Sequence, residues 1–349
     1  MPHVSDSSTT PSVSVVVPSF NYEHFLPDAV MSALGQRDVA VDVIIVDDCS
    51  TDESRTVARD LASTDDRITV LEHERNLGLV ATINDGIAAS RGDLLAVLSA
   101  DDALAPGALV RAADVFASHV DVGLVFGRRK EFHGSDELHA AWRSPEPLHS
   151  DSVHVHEGRR WLDRRCRQGV NLLASPEVIV RATAQRAVGP YSERCRHTSD
   201  LNMWLRIASR FDVAFLDGAP LAWYRRHDAN MSAVAFGEQG IDALERWRAF
   251  DDALSRHDGP SWERRSATAK RSIARALLHE SRRVAEDGVP TGLDRDGVDR
   301  LVSIATTIDQ TTTRDMLRSD GSVRRDMLGR LVHRWRWRRW LAAWNERGW

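Results

Sequence analysis

Residues 12–50 read SVSVVVPSFNYEHFLPDAVMSALGQRDVAVDVIIVDDCS, and this stretch decides the fold. Residues 12–18 are a β-branched run closed by Pro18, the signature of a buried strand. Residues 23–34 repeat apolar side chains at helical spacing, and Gly35 can close the helix. Residues 41–46, VDVIIV, form a second apolar strand that runs directly into Asp47, Asp48, Cys49 and Ser50.

The same alternation continues outward. Asp52 and Glu53 place negative charge where a helix N-terminus favours it, predicting a helix over 54–61. A strand over 67–72, a helix over 79–89, a strand over 94–98, a helix over 106–118 with Pro near its start, and a strand over 122–127 follow. Strands alternating with helices predict an α/β fold, a mostly parallel sheet flanked by helices and joined by right-handed crossovers. Ligands of such sheets sit outside the carboxyl ends of the strands, which brings 18–22, 47–50, 76–78 and 99–102 to one rim. Beyond 127 the pattern weakens. Residues 131–152 read as irregular, 158–169 as a helix, 176–187 as a short strand and turn, and 200–209 as a helix. Residues 213–216 and 221–225 read as strands, and everything after 232 as helical.

The 349 residues carry 42% hydrophobic and 28% charged side chains, so the chain is globular. A net charge of −5 argues against a general nucleic-acid binder, which needs a basic surface. No apolar run reaches the roughly 18–20 residues of a membrane span, and residues 1–11, read as a disordered tail, lack the apolar core of a secretory signal. Cys49, Cys166 and Cys195 are odd in number and widely spaced, which fits a reducing cytoplasm and excludes a disulfide framework or a Cys-based zinc site. There is no GxGxxG after the first strand, no GxxxxGK[ST] and no GxSxG, so dinucleotide-binding, P-loop and hydrolase-elbow readings lack their motifs. His154-Val155-His156 reads as a solvated strand rather than a chelating pair.

Four clusters carry candidate chemistry. Asp47–Asp48 can accept from a ring N–H or a ribose hydroxyl, or simply cap the next helix. Asp101 and Asp102 are adjacent carboxylates at a strand end, suited to Mg2+ or Mn2+ or to a capping role. Asp200 stands at a helix start, as a cap or as a general base. His227 follows two arginines, as a polar strand end or as a nitrogen ligand or phosphate contact.

In order and spacing, VSVVVPSFNYEHFLPDAVMSALGQ, DVIIVDDCSTDES, RNLGLVATINDGIAASRGDLLAVLSADDALAPGAL, VGPYSERCRHTSDLNMWLRIA and WYRRHDANMS resemble the family-2 glycosyltransferases of the GT-A fold, over about residues 12–232. The resemblance implies an inverting transferase moving a sugar from a nucleoside-diphosphate sugar, UDP- or dTDP-linked, to a hydroxyl of a saccharide or lipid-linked acceptor in surface-polysaccharide, glycolipid or glycoconjugate synthesis. It implies that Pro18, Phe20, Tyr22, Asp48, Asn76, Gly78 and Asp101 bind the nucleotide sugar. Asp102 and His227 then hold Mg2+ or Mn2+, Asp200 is the catalytic base, and Gly189, Tyr191 and Trp204 face the acceptor. Arg75, Arg225 or Arg226 would stand near the phosphates. The chain departs from the common pattern at Ser99 and Ser199, where acidic residues are usual, and at Asn202, where a second acidic residue is frequent. It has no QxxRW motif, which argues against a processive synthase.

The expected organisation is a tail over 1–11, a GT-A domain over 12–232 with a nucleotide-sugar half (12–127) and an acceptor half (128–232), and a helical extension over 233–349. Trp335, Trp337, Trp340, Trp344 and Trp349 crowd the end of that extension among four arginines. Such a segment reads as a peripheral contact of 331–349 with the inner face of the plasma membrane, as a surface that packs on the domain or a second subunit, or as a loose tail. The alternative to an enzyme is a catalytically silent GT-A domain that binds nucleotide or a protein partner. A nucleotidyltransferase is less well served, because PSFNYEHF supplies no Gly-rich basic loop after the first strand.

Overall fold

The computed structural model describes residues 10–143, 152–227, 240–287 and 295–319. Its contacts divide the chain into two compact units. The first comprises Met1–Trp161, Leu172–Glu193 and Arg206–His227; the second comprises Leu162–Asn171, Arg194–Leu205 and Asp228–Trp349.

The first unit is built on strands β1 (Ser12–Ser19), β2 (Ala40–Asp47), β3 (Ile68–Glu72), β4 (Leu94–Val97), β6 (Val122–Phe126), β8 (Ser152–His156), β9 (Val178–Arg181) and β10 (Asp212–Asp217). They form one sheet in the order β3-β2-β1-β4-β9-β6-β10-β8. Four pairings are parallel, β2 with β3, β1 with β2, β1 with β4 and β6 with β10. β9 lies antiparallel between β4 and β6, and β8 antiparallel on the edge beside β10. β1 is buried along seven of its eight residues, as a central strand covered on both faces must be. The chain moves outward from β1 to β2 and β3, then returns to place β4 on the other flank of β1. That reversal is a topological switch point, where an α/β sheet opens a crevice for ligands.

Helices α1 (Leu26–Leu34), α2 (Ser54–Thr64), α3 (Leu79–Ala89) and α4 (Ala108–Ser118) connect these strands. α1 opens with Pro27, buries Leu26, Ala29, Val30 and Ala33, and stops where the Gly35 N–H returns to the Met31 carbonyl. α3 lies flush on the sheet because Gly86 has no side chain: a Cβ there would stand 2.3 Å from Val16 Cγ1.

Two stretches differ from the sequence expectation. Residues 131–152 are not irregular throughout. They contain the end of β7 (Arg129–Phe132) and helix α5 (Ser135–Arg143). β7 hides because only Phe132 of its four residues is buried, and it joins the small sheet β5 (Ala103–Leu104)–β11 (Ala222–Arg225)–β7. α5 carries Asp136 and Glu137 in its first turn, Arg143 in its last and a buried Leu138, so its signal is dipole charge more than an apolar stripe. Residues 176–187 hold β9 and then helix α7 (Ala182–Val188), not a strand and turn alone. His154 and His156 lie on β8, as expected of a strand.

Helices α6 (Gly158–Gln168) and α8 (Ser199–Ala208) follow β8 and α7 respectively. The second unit is helical, with α9 (Ile241–Leu254), α10 (Pro260–Asp287), α11 (Arg295–Ile308) and α12 (Gln310–Ser319). Ile241, Leu244, Phe250, Ile273, Leu277, Leu301 and Ile304 are buried among them. Asn202 of α8 is fully buried and donates to the Ala249 carbonyl at 3.1 Å and to Asp252 at 3.0 Å, so its amide ties α8 to α9. Among the described residues no helix is long and apolar enough to cross a membrane. The Trp- and Arg-rich segment 331–349 lies outside the described residues.

Candidate active site

The carboxyl ends of β1, β2 and β4 converge at the switch point, and each delivers polar residues there. The turn after β2 bends sharply: Cys49 adopts a left-handed φ of 63°, and the Ser50 N–H returns to Asp47 Oδ1 at 2.9 Å. The loop after β1 is laced to it. Asn21, with φ of 60°, accepts the Thr51 N–H at 2.8 Å and donates its own N–H to Ser50 Oγ at 3.0 Å. The Tyr22 N–H reaches Ser54 Oγ at 2.9 Å. Pro18 is buried in β1 while Phe20 is 42% exposed, so of the two only the ring of Phe20 is open to a ligand.

Asp48 is 3% exposed and its carboxylate is already engaged. Oδ1 accepts from the Leu77 N–H at 2.7 Å and meets His73 Nδ1 at 2.8 Å; Oδ2 accepts from the Gly78 N–H at 2.8 Å. The other nitrogen of His73 lies 3.0 Å from Asp85 of α3. Asp48 therefore shapes the 76–78 loop, where Gly78 has a φ of 89° and open space around it and Asn76 is exposed. The deeper aspartate, Asp47, binds Arg55 Nε at 2.8 Å through Oδ1, while its Oδ2 and the neighbouring Ser19 Oγ are buried without a hydrogen-bond partner.

After β4 the chain turns through Asp101 and Asp102, 7% and 2% exposed. Asp102 Oδ1 accepts the main-chain N–H of Arg225 at 2.9 Å. Burial, and next the charge of Asp101, push the Asp102 carboxyl well above its ordinary value. His227 Nε2 stands 3.1 Å from Asp101 Oδ2, so the structure brings His227 onto Asp101 rather than onto Asp102. The His227 ring lies 5.1 Å from that of Phe25 and edge-on to Tyr22. Burial and then the charges of Asp101 and Asp102 hold the Tyr22 phenol far above its usual range. Arg225, one of the arginines expected near the phosphates, is buried and bound to Asp28 at 2.7 Å. Arg226 is exposed and faces Glu131 at 3.7 Å.

Among the described residues no group of three or more His, Cys, Asp or Glu is gathered as a metal cage. The donor set still fits a hard divalent cation. Mg2+ and Mn2+ are commonly held by one or two carboxylates plus substrate phosphates, and two crowded carboxylates beside an imidazole offer oxygen and nitrogen donors. None of these rim residues lines the cavity of about 1040 Å3 bounded by Met31, Gln36, Lys130, Trp142 and Trp223.

The acceptor-side candidates divide between the two units. In the first, Gly189 ends α7 with a left-handed φ of 84°, and Arg206 donates to the Pro190 carbonyl at 2.7 Å and to that of Val188. Tyr191 is 3% exposed and held by Asn84 of α3. In the second, Asp200 is half-buried at the start of α8. It accepts the Leu201 N–H at 2.6 Å and the Asn171 amide at 3.2 Å. Desolvation pushes the Asp200 carboxyl above its ordinary value, against the pull of those two bonds and of His197. Trp204 is buried on the same helix.

Sequence reasoning missed Asp28, His73 and Asn84. Asp28 had a signal, a carboxylate interrupting the buried face of α1. His73 and Asn84 had none, since each is defined by partners distant in sequence.

Residues 14–173 match the pattern of Glycosyl transferase family 2. The uncharacterized protein MT1568 of Mycobacterium tuberculosis (strain CDC 1551 / Oshkosh) is 32% identical over 257 residues, 70% of this chain and 76% of that protein. The succinoglycan biosynthesis protein ExoO of Rhizobium meliloti (strain 1021) is 35% identical over 136 residues, 37% of this chain and 38% of that protein. The chain thus matches well under half the length of the first curated relatives. Among solved structures, S. aureus TarS 1-349 in complex with UDP-GlcNAc superposes with a TM-score of 0.59 at 15% identity, over 85% of this chain and 81% of that one. The mannosyltransferase PcManGT from Pyrobaculum calidifontis, in complex with GDP-Man and Mn2+, gives 0.55 at 14% identity, over 89% and 80%. Both share the fold.

Proposed function

The chain belongs to glycosyl transferase family 2, and from that premise we propose that it moves a sugar from a nucleoside-diphosphate sugar, UDP- or dTDP-linked, to an acceptor hydroxyl with inversion at the anomeric carbon. The product is a surface polysaccharide, glycolipid or other glycoconjugate, a reading supported by the role in the name of the succinoglycan relative. The observation that carries the donor site is the Asp101–Asp102 turn at the switch point, with His227 against Asp101.

Each residue has a defined task in this reading. Phe20 and Tyr22 flank the base, while Asp48 holds the Leu77 and Gly78 N–H groups so that the 76–78 loop can receive the nucleoside. Asp101, Asp102 and His227 hold Mg2+ or Mn2+, consistent with the Mn2+ bound by the mannosyltransferase neighbour. The cation, when bound, supplies Lewis-acid stabilisation of the departing diphosphate. Asp200 takes the proton from the acceptor hydroxyl as that oxygen forms its bond to the anomeric carbon and the bond to the diphosphate oxygen breaks. Its raised proton affinity suits a base that must hold the proton it receives. Gly189 and Tyr191 shape the acceptor side in the first unit, and Trp204 is the acceptor-side residue of the second. The three cysteines are free thiols, which supports a cytoplasmic site of action.

The test has two steps. A thermal-shift panel of UDP, dTDP, GDP and CMP, with and without Mn2+ or Mg2+, identifies the base; a ligand at a hundred times its Kd adds about 2.7 kcal/mol. Asp200→Asn then lowers transfer by orders of magnitude and leaves nucleotide binding intact. Unchanged transfer would remove Asp200 from the base role. No stabilisation by any nucleotide would remove the donor site.

A further inference from the structure

Among the described residues Arg225, at the end of β11, heads the fully buried side chains by volume. Its Nη2 donates to Asp28 Oδ2 at 2.7 Å and its Nε to the Asp101 carbonyl at 2.8 Å. Its guanidinium lies over the rings of Phe25 and Phe132, 4.6 and 4.4 Å from their centroids. Its main-chain N–H is the donor to Asp102 Oδ1. One residue thus grips the 101–102 turn twice, by side chain and by backbone, and the strand that carries it delivers His227 two positions later.

Asp28 is fastened in turn. Its Oδ2 also accepts the Ser135 hydroxyl at 2.6 Å, and its Oδ1 lies 2.8 Å from His139 Nε2, both on α5. Burial opposes the Asp28 charge, but the bonds from Ser135, His139 and Arg225 outweigh it and hold the carboxyl below its ordinary value. A buried ion pair is a poor device for stability alone, since well-packed neutral residues often serve as well. What a guanidinium offers, and an apolar side chain cannot, is a rigid fork that aims several N–H donors at once.

We propose that Asp28 and Arg225 are a positioning pair that sets the Asp101–Asp102 turn and the approach of His227 for the cation and diphosphate of the donor; this rests on the donor-site reading above. Neither residue needs to touch the substrate. Their effect falls on the affinity and geometry of the metal–nucleotide complex.

The experiment uses the full chain and three proteins: wild type, Arg225→Lys, and the double variant Asp28→Asn with Arg225→Met, which removes both charges together and spares the core an unpaired one. Mn2+ binding is titrated by the loss of free-Mn2+ paramagnetic resonance. It is measured alone and with whichever of UDP, dTDP, GDP and CMP stabilises the wild type, and thermal unfolding serves as the control for folding. The expected result is a double variant that unfolds cooperatively but binds Mn2+ roughly 10- to 100-fold more weakly, the span typical of residues that orient metal ligands, with Arg225→Lys between it and wild type. A double variant that folds and binds Mn2+ as wild type does would overturn the pair. If the double variant does not fold, Arg225→Lys decides: weakened binding in a folded protein supports the pair, and wild-type binding overturns it. A wild-type chain that binds no Mn2+ with or without nucleotide defeats the donor-site reading itself, before any substitution, and the pair with it.

Discussion

The side chain of Asn84 clasps the main chain of Tyr191 at both polar ends: its Oδ1 accepts the Tyr191 N–H at 2.8 Å and its Nδ2 donates to the Tyr191 carbonyl at 3.1 Å. The two residues are 107 positions apart. The clasp fixes the segment after Gly189 to helix α3, whose first residues follow the loop at 76–78. Asn84→Ala removes both bonds and leaves two Tyr191 backbone groups to find other partners. The expected loss of stability is about 2 kcal/mol, at roughly 1 kcal/mol for each neutral bond. The acceptor KM should rise several-fold while the Kd for nucleotide stays near wild type. A change confined to nucleotide binding would remove the 189–191 segment from the acceptor side.

Asp48 gives a different signature. Its carboxylate holds the Leu77 and Gly78 N–H groups and His73. Asp48→Ala should weaken nucleotide binding by about tenfold or more and destabilise the protein by about 3 kcal/mol, because bonds to a charged acceptor are each worth roughly 1.5–3 kcal/mol and neighbouring ones do not add fully. Isothermal titration with the nucleotide and urea unfolding separate the two effects. Nucleotide affinity unchanged in the variant would show that the 76–78 loop is no part of the donor site.

The raised proton affinity of Asp200 has a pH consequence with a definite sign. The fold favours the protonated carboxyl, by desolvation first, so the base form appears only at pH above the ordinary carboxylate range near 4. The acid limb of kcat should therefore lie above that range. Stability runs the other way: the contribution of the protonated form is complete below the unfolded pKa and is lost as pH rises through the raised folded one. Asp200→Asn, which cannot ionise, should gain in Tm relative to wild type as pH rises through that window. An acid limb at or below pH 4 with equal Tm differences at pH 4 and pH 8 would contradict the desolvated base.

Gly86 tests the contact between α3 and the sheet. A Cβ at this position would meet Val16 Cγ1 at 2.3 Å and Val46 Cγ2 at 3.1 Å, so Gly86→Ala must push α3 outward. Overpacking of this kind costs about 1–3 kcal/mol, readable as a lower urea midpoint with an unchanged slope. Because α3 also carries Asn84 and Asp85, the same variant should weaken nucleotide and acceptor binding together, unlike either substitution above.

The amino-acid order by itself determined the β1–α1–β2 unit, the alternation up to β6, and the arrival of Asp48, Asp101 and Asp102 at strand ends. These rest on local periodicity, and a run such as VDVIIV before DD has few other ways to bury its side chains. Tertiary structure decided the rest. β9 enters the parallel sheet antiparallel between β4 and β6, and a pairing between strands more than fifty residues apart leaves no local trace. The path of β11 brings His227 against Asp101 and the Arg225 N–H against Asp102, two contacts between positions more than 120 residues apart. Arg225 left the list of phosphate contacts because Asp28, 197 residues earlier, captures its guanidinium inside the core. A charged residue at a strand end reads alike whether it faces solvent, ligand or a buried counter-charge, and only the path of the chain through space settles which partner it finds.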